Sequence, residues 1–343
     1  LILISQQQIL QTKKEKSIMS ITQELQEFQT RTKDLDKSAF LGSVVWFSTS
    51  DCDIQYTSVV NALTRSGLAS MAPRPPCDAD VFKRTFWAGT HRNEAATEDG
   101  IIERLMVRHV SLVSPTKEVP GRIVRKVVSE FVDAEKLSLA YPSQGGGEVV
   151  FNYETGSVAI TPYDESTPQA ENLLHDLRRQ YDRTRGCLDG SALRGIITRT
   201  LDAAKAVNLR GKAGGVYLLS MSHEDVVASL ETWTEVLRRD LSLGVDFHSL
   251  PLLDDLKQRE MVLDGVREDI SQDVKALTVD VTEALQQNEG VTMRRFASAS
   301  AKLQALQAKA SEYESLLKHE GLVAETSLGM LALQVQALFG LVK

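Results

Sequence analysis

The spacing of apolar positions changes along this chain, and each change predicts a new kind of element. From Ile21 to about Leu35, the residues Ile21, Leu25 and Phe28 recur at helical spacing among Gln, Glu and Lys, which predicts a short surface helix. Val44-Val45-Trp46-Phe47 is a β-branched and aromatic run bounded by Gly42-Ser43 and the polar cluster Ser48 to Asp53, so it predicts a buried strand. A helix follows, capped by Thr57 or Ser58, with Val59, Val60 and Leu63 facing inward and Gly67 ending it. Pro73, Pro75 and Pro76 then impose an extended connection, because each restricts the residue before it.

Between 101 and 162 the apolar residues form short runs: Leu105 to Val113, Ile123 to Val132, Leu137 to Tyr141, Val149 to Tyr153 and Val158 to Thr161. Pro120-Gly121, Gly145 to Gly147 and Thr155-Gly156 punctuate them. Strands joined by such turns make an antiparallel meander, with one long hairpin through Pro115 to Gly121 and the tightest at Glu154 to Ser157. Thr167-Pro168 starts a helix from about Gln169 to Arg183, and a second runs from Ser191 to Val207 after the break at Gly186 to Gly190. Val216 to Ser220 reads as a strand, and Ser222 as the cap of a helix to about Arg239 with Val226, Val227, Leu230, Trp233 and Leu237 inside.

After Pro251 there is no proline. Leu263, Val266, Ile270, Val274, Leu277, Val281 and Leu285 are spaced by three and four, Asn288-Glu289-Gly290 supplies a turn, and Phe296, Ala299, Leu303, Leu306, Ala310, Tyr313 and Leu317 form a heptad seam. These patterns predict an antiparallel coiled-coil hairpin. Its first arm is mostly acidic and its return arm carries Arg294, Arg295, Lys302, Lys309 and Lys318, which favours this pairing. Beyond it, Leu328, Leu331, Val335, Leu338 and Val342 continue the heptad, while Met330, Leu333, Phe339 and Leu341 are apolar outside it. This last segment is expected to exceed what the first arm can cover, so these five heptad residues are the expected contact with the globular body or a second subunit. A membrane span is disfavoured, because Gln334 and Gln336 interrupt too short a run.

The predicted fold is therefore α+β: an antiparallel meander with packed helices, plus the C-terminal hairpin. The expected segments are a leader at 1–18, a mixed body at 19–250 with its sheet at about 101–162, the hairpin at 252–320 and an apolar helix at 321–343. Forty-two per cent apolar and 25% charged residues fit a soluble chain. Cys52, Cys77 and Cys187 are odd in number and far apart, as in a reducing cytosol. Lys14-Glu15 can be encoded as a purine-rich ribosome-binding sequence ahead of Met19, so 1–18 is expected to be upstream sequence and not a signal peptide. These features place the protein in the cytoplasm of a bacterial host cell.

Chemistry adds little to this outline. His91, His109, His175, His223, His248 and His319 never fall at metal-ligand spacing, and no cofactor motif is present. Gly211-Lys212-Ala213-Gly214-Gly215 lacks the Ser or Thr and the following helix that a phosphate loop needs. Cys52, between Asp51 and Asp53, is a poor nucleophile because carboxylates raise a thiol's pKa. Two basic clusters stand out against the net charge of -7: Arg122, Arg125 and Lys126, and Arg178, Arg179, Arg183 and Arg185. Brought together they would make a groove for a polyanion; apart, they read as exposed faces. Phe82, Phe86 and Trp87 are expected in the core.

Val45-Trp46-Phe47-Ser48, the helix ending at Gly67-Leu68, the run Pro73-Arg74-Pro75-Pro76-Cys77-Asp78-Ala79-Asp80-Val81-Phe82-Lys83-Arg84, and Gly215-Val216-Tyr217 before a Leu/Val helix follow one another along the chain. Together they resemble an uncharacterised family of phage and bacterial proteins that share a Pro-rich segment followed by Asp-x-Phe-x-Arg. The resemblance implies a phage or mobile-element context and no catalytic residue. The expected function is that of a non-enzymatic interaction protein, self-associating or holding a protein partner through the hairpin or C-terminal helix. The alternatives are a nucleic-acid-associated protein of phage replication or host takeover, and an enzyme with a dispersed site.

Overall fold

The computed structural model describes residues 36–87, 91–96, 101–113, 121–133, 138–140, 146–164, 166–211, 215–286, 292–319, 321–322 and 325–340. The leader, the helix expected near Ile21, and the turns expected at Pro115 to Pro120, Lys212 to Gly214 and Asn288 to Gly290 lie outside them. Twelve strands are described: β1 Phe40–Thr49, β2 Asp53–Gln55, β3 His91–Ala96, β4 Ile101–Val113, β5 Arg122–Asp133, β6 Ser138–Ala140, β7 Gly147–Asn152, β8 Val158–Pro162, β9 Cys187–Asp189, β10 Val207–Asn208, β11 Val216–Ser220 and β12 Val245–Leu253. The described α-helices are α1 Tyr56–Arg65, α2 Asp78–Thr85, α3 Pro168–Thr184, α4 Gly190–Ala203, α5 Glu224–Leu241, α6 Leu256–Gln286, α7 Met293–Leu317 and α8 Glu325–Phe339. Antiparallel sheets combined with long packed helices make this an α+β protein. The chain forms two compact units, one from 36–50, Ala62–Ala72 and 193–340, the other from Asp51–Asn61 and Pro73–Ala192.

The first unit is built on a four-stranded antiparallel sheet of order β10-β11-β1-β12. Leu41, Val44, Leu218 and Leu252 send their side chains from one face into the cluster formed with α6, α7 and α8. Alternation along β1 turns Val45 to the other face, where α5 packs along β1 and β12 with Val227, Leu230, Trp233 and Leu237 buried. Gly42 sits where β1 shifts register, and a Cβ there would lie 1.9 Å from the Leu219 carbonyl oxygen, so only glycine lets β11 approach. β12 was not legible as a strand because it contains Pro251. Its place at the sheet edge explains that residue, since Pro251 opposite Ser43 withholds an N–H only where one side of the strand is unpaired. The helix after β11 also begins later than its hydroxyl pattern suggests: a 3-10 turn over Met221–His223 intervenes, and α5 starts at Glu224 without a side-chain cap.

The second unit holds a six-stranded antiparallel sheet of order β3-β4-β5-β7-β8, with β6 paired to β5. The long β4–β5 hairpin and the β7–β8 hairpin are both present, the latter turning at Gly156 with φ 63°. Asn152 Oδ1 accepts the Glu154 amide in that turn at 2.8 Å. One face of the sheet, carrying Leu105, Val107, Ile123, Val127, Val149 and Phe151, is covered by α2 and α3. α3 starts as its sequence dictates: Thr167 Oγ1 accepts the Ala170 amide, and Pro168 occupies the first turn. Phe82 and Phe86 are fully buried, but Trp87 is 67% exposed, which corrects its expected core position. α2 ends at Thr85, so Trp87 is past the helix that would have carried it inward.

Candidate functional site

The C-terminal arms begin with the burial that their spacing predicts. Val266, Ile270, Val274, Leu277 and Val281 of α6 face Ala299, Leu303, Leu306, Ala310, Tyr313 and Leu317 of α7. At the two ends of α6 the buried positions are Val262 and Ala284, one residue before the expected Leu263 and Leu285, which pack at the margin. Charge follows the predicted pairing. Lys309 lies 2.6 Å from Asp269 and 3.5 Å from Asp273, Lys302 lies 3.4 Å from Asp280, and Arg295 lies 3.7 Å from the same carboxylate.

The C-terminal helix corrects the expectation that it has no partner in the hairpin. α8 packs on both α6 and α7, burying Leu331, Val335 and Leu338 in their common cluster with Leu328 at its margin. Phe339 meets Phe296 of α7 at 5.2 Å between ring centroids. The arms therefore form a three-helix bundle, because the seam shared by two amphipathic helices still leaves an apolar groove for a third. Four of the five residues expected to contact another body or subunit are thus used within the chain; Val342 lies outside the described residues. The residues outside the heptad stay outside: Met330 is 64% and Leu333 67% exposed. After Glu325 the helix carries no charged side chain.

A carboxylate on α7 ties this bundle to its sheet. Glu312, on α7, accepts Ser220 Oγ at 2.5 Å, Ser222 Oγ at 2.9 Å and Lys205 Nζ at 2.9 Å. His223 Nε2 lies 3.2 Å from the same carboxylate, outside hydrogen-bonding alignment. Burial pushes this carboxyl up, but the hydrogen bonds from Ser220, Lys205 and Ser222 outweigh it and hold the pKa at about 2. The next residue, Tyr313, donates its hydroxyl to the Leu218 carbonyl at 2.8 Å. Nothing in the sequence pattern singled out Glu312, a minority acid on the more basic arm.

In the second unit, two three-residue strands set up a polar cavity of about 390 Å³. β2 and β9 pair so that Asp53 stands opposite Asp189. Arg84, in the last turn of α2, spans both, at 2.7 Å from Asp189 and 3.8 Å from Asp53. Asp51, Cys52, Gln180 and Ser191 complete much of the lining. Burial pushes the Asp189 carboxyl up, but the Ala192 amide and Arg84 overcome it and leave its pKa below the usual value. The Cys52 thiol is pushed up by burial, then by Asp53, Asp189 and Asp51, so it stays protonated and unreactive. The cavity thus gathers ionisable groups, but its guanidinium is held by two carboxylates and its thiol is not activated. Among the described residues, no three His, Cys, Asp or Glu side chains form a metal-binding set.

The two basic clusters lie in this same unit but do not converge. Arg178 pairs with Asp182, Arg179 with Asp176 and Arg183 with Asp53, while Arg185 forms a two-pronged contact with Asp78. Each arginine of α3 and its C-terminus therefore has an acidic neighbour, which weakens the field a polyanion would meet. Strand alternation divides the other cluster: Arg122 and Lys126 point to the face opposite α3, while Arg125 joins Ile123 and Val127 beneath the helix. Lys126 Nζ lies over the Tyr163 ring, 5.7 Å from its centroid.

The architecture is that of an α+β protein with an appended helical bundle, and no described helix is long and apolar enough to cross a membrane. The model of a family of unknown function, DUF6744, matches residues 40–341, and the chain belongs to that family. No curated protein and no solved structure matches it.

Proposed function

We propose that this chain is a non-enzymatic interaction protein, of phage or bacterial context, that pairs with a second copy of itself through the outer face of α8. The observation that carries this reading is the exposure of Met330 and Leu333 on a helix without charge after Glu325, in a chain where 25% of residues are charged. Isolated exposed apolar residues are ordinary; an uncharged helix face presenting two large ones is an association surface. A second copy fits because a two-fold contact sets the same patch against itself, and an uncharged apolar face is complementary to its own copy. Covering one such side chain contributes at most about 1.5–3 kcal/mol, and association itself costs several kcal/mol, so a symmetric pair of helices makes a weak dimer that dissociates on dilution.

Sedimentation velocity over a dilution series tests this. The wild-type chain is expected to sediment as a dimer that dissociates on dilution. Leu333→Glu combined with Met330→Glu should leave a monomer with an unchanged helical signal and melting curve, because neither side chain enters the bundle core. A wild-type monomer at every concentration, or a double variant that dimerises equally well, rejects the reading.

A further inference from the structure

Where α6 and α7 run beside the end of α4, they leave an open groove of about 490 Å³. Its floor is small and apolar: Ala276 and Ala305 are exposed, and Leu277 and Leu306 close the bundle core beneath them. An ion pair between the helices bounds each end, Asp280 with Lys302 and Asp273 with Lys309. Seven residues separate these ends along either helix, which makes the groove about 10 Å long. The charges in it do not balance. Lys309 already serves Asp269 at 2.6 Å as well as Asp273 at 3.5 Å, and Lys205 is turned to Glu312 at 2.9 Å. Asp202 of α4 lines the groove, and among the described residues its carboxylate has no ion pair or hydrogen bond. The helix walls exclude enough water to push this carboxyl's pKa up, although the residue reaches solvent at the mouth; Lys309 opposes that shift, and Asp273 and Asp269 add to it. Asp269 is likewise pushed up by burial despite its contact with Lys309. This end of the groove is short of positive charge.

We propose that this groove binds a small organic cation, an ammonium or guanidinium carried on an apolar body, with the charge at Asp202 and the body along Ala276 and Ala305. Charge complementarity sets the sign. A cation supplies the partner that Asp202 lacks and relieves its repulsion with Asp273, whereas an anion would have to displace a carboxylate from Lys302 or Lys309. The body is apolar because the floor between the two ion pairs offers no hydrogen-bonding side chain. A metal ion fits less well, since among the described residues no three ligating side chains converge. The volume is that of a small-molecule site, which runs from about 300 to 1,000 Å³. No residue of α8 lines the groove, so it is independent of self-association through Met330 and Leu333.

Calorimetric titration of the full chain with hexylamine, hexylguanidine and hexanol at neutral pH tests this. The two cations share a body and differ in the head group, so the tighter of them names the group, while hexanol has the body without the charge. At least one cation is expected to bind at a single site with a dissociation constant of about a millimolar, as suits so small a ligand. Hexanol should bind about tenfold more weakly, for want of a charge-assisted hydrogen bond. Asp202→Asn should weaken cation binding by about the same factor. Ala305→Leu, which fills the floor and leaves every charge in place, should abolish it. Both positions are exposed, so circular dichroism should show each variant folded as the wild type is. The proposal is overturned if neither cation binds, if hexanol binds as tightly as they do, or if either folded variant binds as the wild type does.

Discussion

Glu312→Gln is expected to destabilise the sheet-and-bundle unit by about 3 kcal/mol at neutral pH, with most of the difference gone by pH 2. Glutamine has the shape of the protonated acid, so the variant isolates what the charge contributes. That contribution follows from linkage. The carboxyl's folded pKa of about 2 lies below its ordinary value of 4.5, and each unit is worth about 1.4 kcal/mol. Since the folded value is depressed, the stabilisation is complete above pH 4.5 and is lost as pH falls toward 2. Urea unfolding at pH 7, 4.5 and 2.5 should show the wild type losing stability over the lower interval while Glu312→Gln stays nearly flat. Parallel loss in both proteins would mean that other carboxylates account for acid unfolding. Lys205 supports the same assignment: it adopts φ 54°, a left-handed conformation that glycine usually takes after a helix, and its ammonium nevertheless reaches Glu312. Backbone strain alone favours glycine at this position, and the contact with Glu312 offsets that strain.

How far the sequence revealed this fold depended on how much of each element's environment was encoded locally. β11, the meander strands and the long C-terminal helices each carry their own period and form close to it. By contrast, β1 begins at Phe40, before the Gly42-Ser43 expected to bound it, and the helix expected to reach Val207 ends at Ala203, with Val207 in β10. β2 and β9 were missed because three residues are too few to show alternation, and β12 because Pro251 argues against any strand other than an edge. The position of α8 failed for a different reason. A heptad records that a face is buried, but it does not record how many helices share the core, so Leu331, Val335 and Leu338 looked unpartnered when only two arms were counted.

The candidate sites were less legible than the fold. Arg122, Arg125 and Lys126 are neighbours in sequence, but a strand turns alternate side chains to opposite faces, and that pleat separates Arg125 from the other two. The arginines of α3 looked like a surplus because Asp53 and Asp78, which neutralise Arg183 and Arg185, are far away in sequence. Met330 and Leu333 were visible as apolar residues outside the heptad. Their exposure became meaningful only after the heptad face had been assigned to the bundle.

The Asp80-x-Phe82-x-Arg84 segment yields the other large effect: Phe82→Ala should cost about 3–5 kcal/mol, far more than changing either charged member. Phe82 is completely buried, with ring centroids 4.7 Å from Phe86, 5.4 Å from Phe151 and 6.4 Å from Tyr181, so truncation removes the centre of an aromatic cluster that joins α2 to α3 and the sheet. Asp80 is exposed in the first turn of α2, where it accepts the Cys77 thiol at 3.0 Å and lies 3.6 Å from Lys83. Its removal should cost about 0.5 kcal/mol, mostly through the lost interaction with the helix dipole. Arg84 lies between, because about a third of its side chain and of both carboxylate partners remains in solvent, and screening limits Arg84→Met to about 1 kcal/mol. Urea unfolding of the three variants should return that order. An Arg84 variant less stable than the Phe82 variant would place the segment's main role in the Asp53–Asp189 ion lock, and the polar cavity would then have to be treated as the element that organises the unit. With the order as expected, Phe82 anchors α2, and the position of Arg84 across β2 and β9 follows from that anchor, since the two residues are separated by half a helical turn on one rigid helix.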